Sequence, residues 1–161
     1  MAIGQSNYTG GRVMLFYEGL HYIGDELANR CDDVTIVYGF RHPTTLNLSE
    51  SSQVFNIYRD SEDEDYIKMA VALWVRDDTP DLDSGYAKLA ELERRFFDAI
   101  QAINEELWAL QGEGLFIADN VQLLTIEVGT TAGATESLWP LFGSETKLNL
   151  RIYKHREVSN G

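Results

Sequence analysis

The chain has 161 residues, 44% hydrophobic and 11% aromatic, and its 13 basic and 26 acidic side chains leave a formal net charge of −13. That length suits one domain, and a domain of roughly 150 residues buries about 68–70% of the surface its unfolded chain exposes, enough for a core without disulfides or metals. The charge argues against a sequence-wide affinity for nucleic acid or for an anionic membrane surface, both of which need clustered Lys and Arg. The single Cys31 excludes an intrachain disulfide and a multi-cysteine zinc site. The start, Met1-Ala-Ile-Gly-Gln-Ser6, lacks the basic region and apolar run of a signal peptide. No apolar stretch approaches the roughly 20 residues that span a bilayer. The expectation is a protein that stays, or is assembled, in the cytoplasm.

In chain order, residues 1–11 are polar and contain Gly4, Gly10 and Gly11, and read as a loose N-terminal arm. From Arg12 to Arg30, Val13, Phe16, Leu20, Ile23 and Leu27 step by three and four, the apolar face of a helix. Gly19 and Gly24 lie inside it, each costing up to about 1 kcal/mol relative to Ala. Packing must therefore hold this helix, and a close neighbour accounts for the glycines. Val34, Ile36 and Tyr38 mark a strand, and residues 40–52, with Pro43 and several Ser and Thr, mark a loop. Val54–Tyr58 and Ile67–Val75 read as two strands joined by the acidic turn Asp60-Ser-Glu-Asp-Glu-Asp65, an antiparallel hairpin whose carboxylates discourage edge pairing at that end.

A long helix is expected from about Pro80 to Leu110. Thr79 is placed to cap it, and Asp81 and Asp83 lie where the helix dipole favours anions; Gly85 opens an alternative start at Ser84. Its stripe is Leu82, Tyr86, Leu89, Leu92, Phe96, Ile100, Ile103, Leu107 and Leu110, Glu91 and Arg95 form an i,i+4 pair, and Gly112 supplies the stop. A strand around Asn120–Val128, a loop over 129–144 and a closing strand Lys147–Tyr153 complete the chain. The pattern α-β-β-β-α-β-β predicts an α+β domain over 12–154, followed by a tail over 155–161. Its mostly antiparallel sheet of four to five strands carries two helices on one face.

No constellation for chemistry emerges. Gly129-Thr-Thr-Ala-Gly-Ala-Thr135 lacks the Gly-Lys-Ser/Thr ending of a phosphate loop, and Gly112-x-Gly114 follows a helix where a dinucleotide fingerprint would follow a strand. His21, His42 and His155 are scattered, and His21 and Cys31 on one helix lie about 15 Å apart at its rise per residue. Asp81-x-Asp83-x-Gly85 has no third ligand at the fifth position of a calcium loop. The expectation is no catalytic residue, no cofactor and no metal. The 129–144 loop stands out because it ends Ser137-Leu-Trp-Pro-Leu-Phe142. Leu138, Trp139, Leu141 and Phe142 either fold back onto the core or present an apolar patch, and the length of the loop favours a contact arm.

The order of elements resembles the tail terminator proteins of long-tailed bacteriophages. The resemblance is carried by the helix Arg12–Arg30, the closing strand Leu148–Tyr153, and the strand Ile67–Val75 leading through Asp77-Asp78-Thr-Pro80 into the long helix. It implies a homo-oligomeric, often hexameric, ring in the virion tail that ends tube growth and joins tail to head. Its partners are then the tail tube protein and a head–neck connector, with DNA passing through unbound and no membrane involved. The acidic turn Asp60, Glu62, Asp63, Glu64 and Asp65 becomes a lumen-facing element, and related neck and tail-completion proteins share the pattern. A competing reading is a small-molecule-binding regulatory domain that uses Tyr38, Phe55, Tyr58, Trp74 and Tyr153 on the open sheet face.

Overall fold

The computed structural model describes residues 14–110, 115–134 and 137–155. Two helices, α1 (Phe16–Arg30) and α2 (Leu82–Ala109), accompany β1 (Thr35–Tyr38), β2 (Gln53–Glu62), β3 (Tyr66–Arg76), β4 (Leu115–Ala118), β5 (Val121–Gly133) and β6 (Leu141–Lys154). The strands form one sheet in the order β1-β2-β3-β6-β5-β4. The expected arm over 1–11, the Gly112 stop and the tail beyond His155 lie outside the described residues.

The α+β class and the two helices agree with the sequence, but the sheet has six strands and is mixed: β1 runs parallel to β2, and every other pair is antiparallel. A parallel neighbour needs a crossover connection. Residues 39–52 supply it, with a 3-10 turn at Pro43–Thr45 and with Leu48 buried beside Val54, Ala72 and Trp74. What reads as a polar loop is thus part of a second, smaller apolar cluster. Asn56, fully buried, fixes the end of β1: its amide donates to the carbonyls of Val37 and Gly39, and its Oδ1 accepts from Arg41 N–H. Gly39, at φ 84°, makes the turn between them.

Strand periodicity divides the side chains between the two clusters. On β3, Ile67, Met69, Val71, Leu73 and Val75 join the main core with the helices, while Ala72 and Trp74 point into the smaller cluster. Phe55 and Ile57 of β2 and Leu148, Leu150 and Ile152 of β6 complete the helix-covered face. Burying such side chains contributes about 1.5–3 kcal/mol each.

α1 buries Leu20, Ile23 and Leu27, and both of its interior glycines meet a neighbour closely, as their positions imply. A Cβ on Gly19 would sit 3.1 Å from Ile67, and one on Gly24 would overlap the Tyr38 ring. The α2 stripe is buried from Leu89 to Leu107, but Leu82, Tyr86 and Leu110, near its two ends, are exposed. Its cap is Asp81, whose carboxylate accepts from Asp83 N–H at 3.0 Å, in place of Thr79. Arg95 pairs with Asp33 across the fold, and Glu91 pairs with Arg94, so the expected Glu91–Arg95 pair does not form.

The largest departure concerns residues 129–144, expected as loop. Most of them are strand. β5 and β6 form a long hairpin with Thr131↔Thr146, Ala132↔Glu145 and Gly133↔Ser144 in register. Backbone pairing sets this stretch of β5, and its side chains are exposed on both faces, so no apolar alternation marks it. β4 also escapes the sequence reading, being a four-residue strand directly after the undescribed 111–114.

Candidate functional site

The turn from β3 into α2 is built on Asp77, four residues before the helix cap Asp81. It is 2% exposed. Its oxygens accept from Thr79 N–H (2.8 Å) and Ser84 Oγ (2.7 Å), and Lys88 Nζ lies 3.6 Å away. These hydrogen bonds from Thr79 and Ser84, helped by the Lys88 ammonium, hold its pKa down at about 2. Asp77 N–H donates to the Pro140 carbonyl, which ties the helix start to the segment entering β6.

That segment is Leu138–Leu141, bridged to itself by Leu141 N–H on the Leu138 carbonyl, with a cis Trp139–Pro140 bond. The Trp139 indole N–H reaches the Thr79 carbonyl at 3.1 Å and leaves the ring 48% exposed. Across from it stand Leu82 and Tyr86 of α2, 46% and 61% exposed. Together with Phe142, Gly133 and Ala134 they line an open groove of about 530 Å³. The Tyr86 ring meets Phe142 edge to face at 5.6 Å, and Phe142 fills the space over Gly85. At the polar end Ser144 Oγ donates to Glu93 at 2.6 Å.

Of the four apolar residues singled out from the sequence, Trp139 alone faces out. Phe142 belongs to the main core, and Leu138 and Leu141 pack against the smaller cluster. Leu82 and Tyr86 join Trp139 instead. They continue the α2 stripe in sequence, yet in the fold they are exposed.

The acidic turn lies at the other end of β3, a strand about 33 Å long at the usual rise per residue. It is knitted into the fold. Glu62 accepts from Leu15 N–H at 2.7 Å, and Asp63 accepts from the N–H groups of Asp65 and Tyr66, each at 2.9 Å. Asp60 lies 3.7 Å from Lys147, and Glu64 3.5 Å from Lys154. Only Asp63, Glu64 and Asp65 lie between the strands; Asp60 and Glu62 belong to β2.

The remaining chemistry-bearing side chains are kept apart. His21 is sandwiched between Tyr17 and Tyr38, His42 caps the 3-10 turn through Thr44, and His155 meets Gln122 at 3.0 Å. Cys31 is buried, which pushes its thiol pKa up and keeps it neutral. Among the described residues no three His, Cys, Asp or Glu side chains converge as metal ligands, and no helix is long and apolar enough to cross a membrane. On the face away from the helices, Phe40, Tyr58, Ala72 and Trp74 line a second cleft of about 270 Å³. Phe55, by contrast, is core.

No protein-family model matches the chain, and no curated protein matches it. A crystal structure from Akkermansia muciniphila resembles it at 12% identity, over 89% of this chain and 79% of that one, with a TM-score of 0.37.

Proposed function

We propose that this chain is a structural subunit of a phage or prophage tail, a ring-forming tail terminator that ends tube growth and joins the tail to the head. The observation that carries the reading is the exposed groove at the start of α2. Trp139, Tyr86 and Leu82 present a contiguous apolar surface on a chain of net charge −13. Apolar patches of this kind, rimmed by polar residues, mark protein contacts, and Trp and Tyr are the side chains that most often dominate them. The element order of the terminator family supports the choice of assembly. In this reading the turn Asp63–Asp65, with Asp60 and Glu62 behind it, lines the passage for DNA and repels its phosphates. The tail tube protein and a head–neck connector are the ring's neighbours in the virion, and assembly takes place in the host cytoplasm. A neck or tail-completion subunit would use the same surfaces.

The test is the mass of the native chain by light scattering, with and without its tail tube protein, together with negative-stain images. A discrete ring is the expected result; monomers under both conditions refute the proposal. A second reading, a small-molecule-binding domain, draws on the cleft that contains Tyr58 and Trp74. Ligand at 100 times its dissociation constant stabilises a fold by about 2.7 kcal/mol, so a metabolite screen without any thermal shift counts against it.

A further inference from the structure

The outer side of β5 changes character at Ile126. β4 covers only its first residues, with Leu115↔Leu123 and Phe116↔Gln122 in register. At Ile126 a side chain takes the place of a neighbouring strand: Asn104 Nδ2 donates to the Ile126 carbonyl and Asn104 Oδ1 accepts from Ile126 N–H, both at 2.8 Å. Beyond that point β6 still pairs with the inner side as far as Gly133↔Ser144, and among the described residues no strand pairs with the outer side. Every residue from Glu127 to Ala134 is exposed, and from Val128 onward none is charged. An open edge is a template for another chain, and proteins usually blunt it with Lys, Pro, inward-pointing charge or a β-bulge. Between Val128 and Ala134 there is no Lys, Pro or charge, and the one such device is the shift in register between Val128 and Thr131, which leaves Thr131–Gly133 regularly paired with β6 on the inner side.

The opposite border of the sheet is β1, which among the described residues is bonded to β2 alone and lies in an equally uncharged stretch, Val34–Phe40. Two copies at −13 repel each other over most approaches, and an approach through the two neutral borders carries the least local repulsion. Contact between unlike edges is heterologous and closes into a ring when the rotation per subunit permits. Gly133 and Ala134 also line the groove beside Trp139, so one contact would cover both edge and groove.

We infer that the outer edge of β5 beyond Ile126 pairs with the β1 edge of a second copy, continuing the sheet from subunit to subunit. This rests on the ring reading above. Two edge-charged variants test it, T130D/A132D on β5 and T35D on β1, all at exposed positions. Each alone is expected to lower the oligomer to a monomer with unchanged circular dichroism. An equimolar mixture is expected to give a dimer, because one intact edge of each kind remains. In the native oligomer, amide exchange over Val128–Gly133 is expected to slow at least about tenfold relative to monomer. A ring of unchanged mass in T130D/A132D, with no added protection at β5, overturns the edge pairing and leaves the ring reading standing. A T35D variant that still dimerises through β5 overturns the head-to-tail arrangement. A native chain that never oligomerises refutes both.

Discussion

Asn104 is the place where the packing of α2 against the sheet meets the hydrogen-bond requirement of the backbone. It is 8% exposed, and its amide satisfies both the N–H and the carbonyl of Ile126, while Thr125 Oγ1 donates to Asn104 Oδ1 at 3.2 Å. Asn104→Leu keeps the approximate volume and removes every one of these bonds. A buried donor or acceptor left unpaired costs about 1–3 kcal/mol, so the two Ile126 groups together predict a loss of roughly 2–5 kcal/mol, part of the higher figure being recovered by water entering the edge. For a domain of this size each kcal/mol moves the melting temperature by about 2–4 °C, giving a fall of roughly 4–20 °C. Urea titration followed by far-ultraviolet circular dichroism measures the loss through the midpoint, provided the slope is unchanged. A loss below about 1 kcal/mol refutes the reasoning, because it means that the Ile126 backbone groups reach water freely in the native chain. Exchange at the Ile126 amide gives an independent reading, since its protection should fall in the variant even where global stability survives.

Further outcomes follow from the same geometry. The Asp77 carboxyl titrates at about 2 in the fold against an ordinary 3.8, so the stability it confers is complete above pH 4 and is lost as pH falls from about 4 to about 2. Asp77→Asn should flatten the stability profile in that window, and an unchanged acid limb would show that the Thr79 and Ser84 bonds do not favour the ionised form. Trp139→Ala should weaken self-association in light scattering with little change in melting temperature, because the ring is half exposed and makes one hydrogen bond; an unfolded variant would instead place this side chain in the core. Gly85→Ala removes a helix-interior glycine, worth up to about 1 kcal/mol in stability. The new Cβ nevertheless overlaps the Phe142 ring, and overpacking costs about 1–3 kcal/mol. Net destabilisation in urea is expected, with partial recovery in Gly85→Ala/Phe142→Leu.

The sequence by itself determined the elements whose side chains face one apolar layer. The α2 stripe from Leu89 to Leu107, the β2–β3 hairpin and the α1 face Leu20, Ile23, Leu27 were legible because burial imposes a period of 3.6 or 2 on residue type. Gly19 and Gly24 signal a close neighbour, which Ile67 and Tyr38 supply. The site was less legible. Trp139 stood out by type, but Leu82 and Tyr86 continue the same stripe as the buried leucines, and periodicity carries no information on where a stripe stops being covered. Only the tertiary structure decided that, and it also decided the hairpin over 129–144, whose Gly, Thr and Ala residues on β5 are held by the β6 backbone rather than by burial. The parallel pairing of β1 has the same origin. Strand direction depends on the path of the crossover through Leu48 and on the Asn56 bonds, which are contacts between residues far apart in the chain. Local pattern records which face of an element is dry. Where an element stops being covered, and which backbone edge is left open, is settled by the packing of the whole.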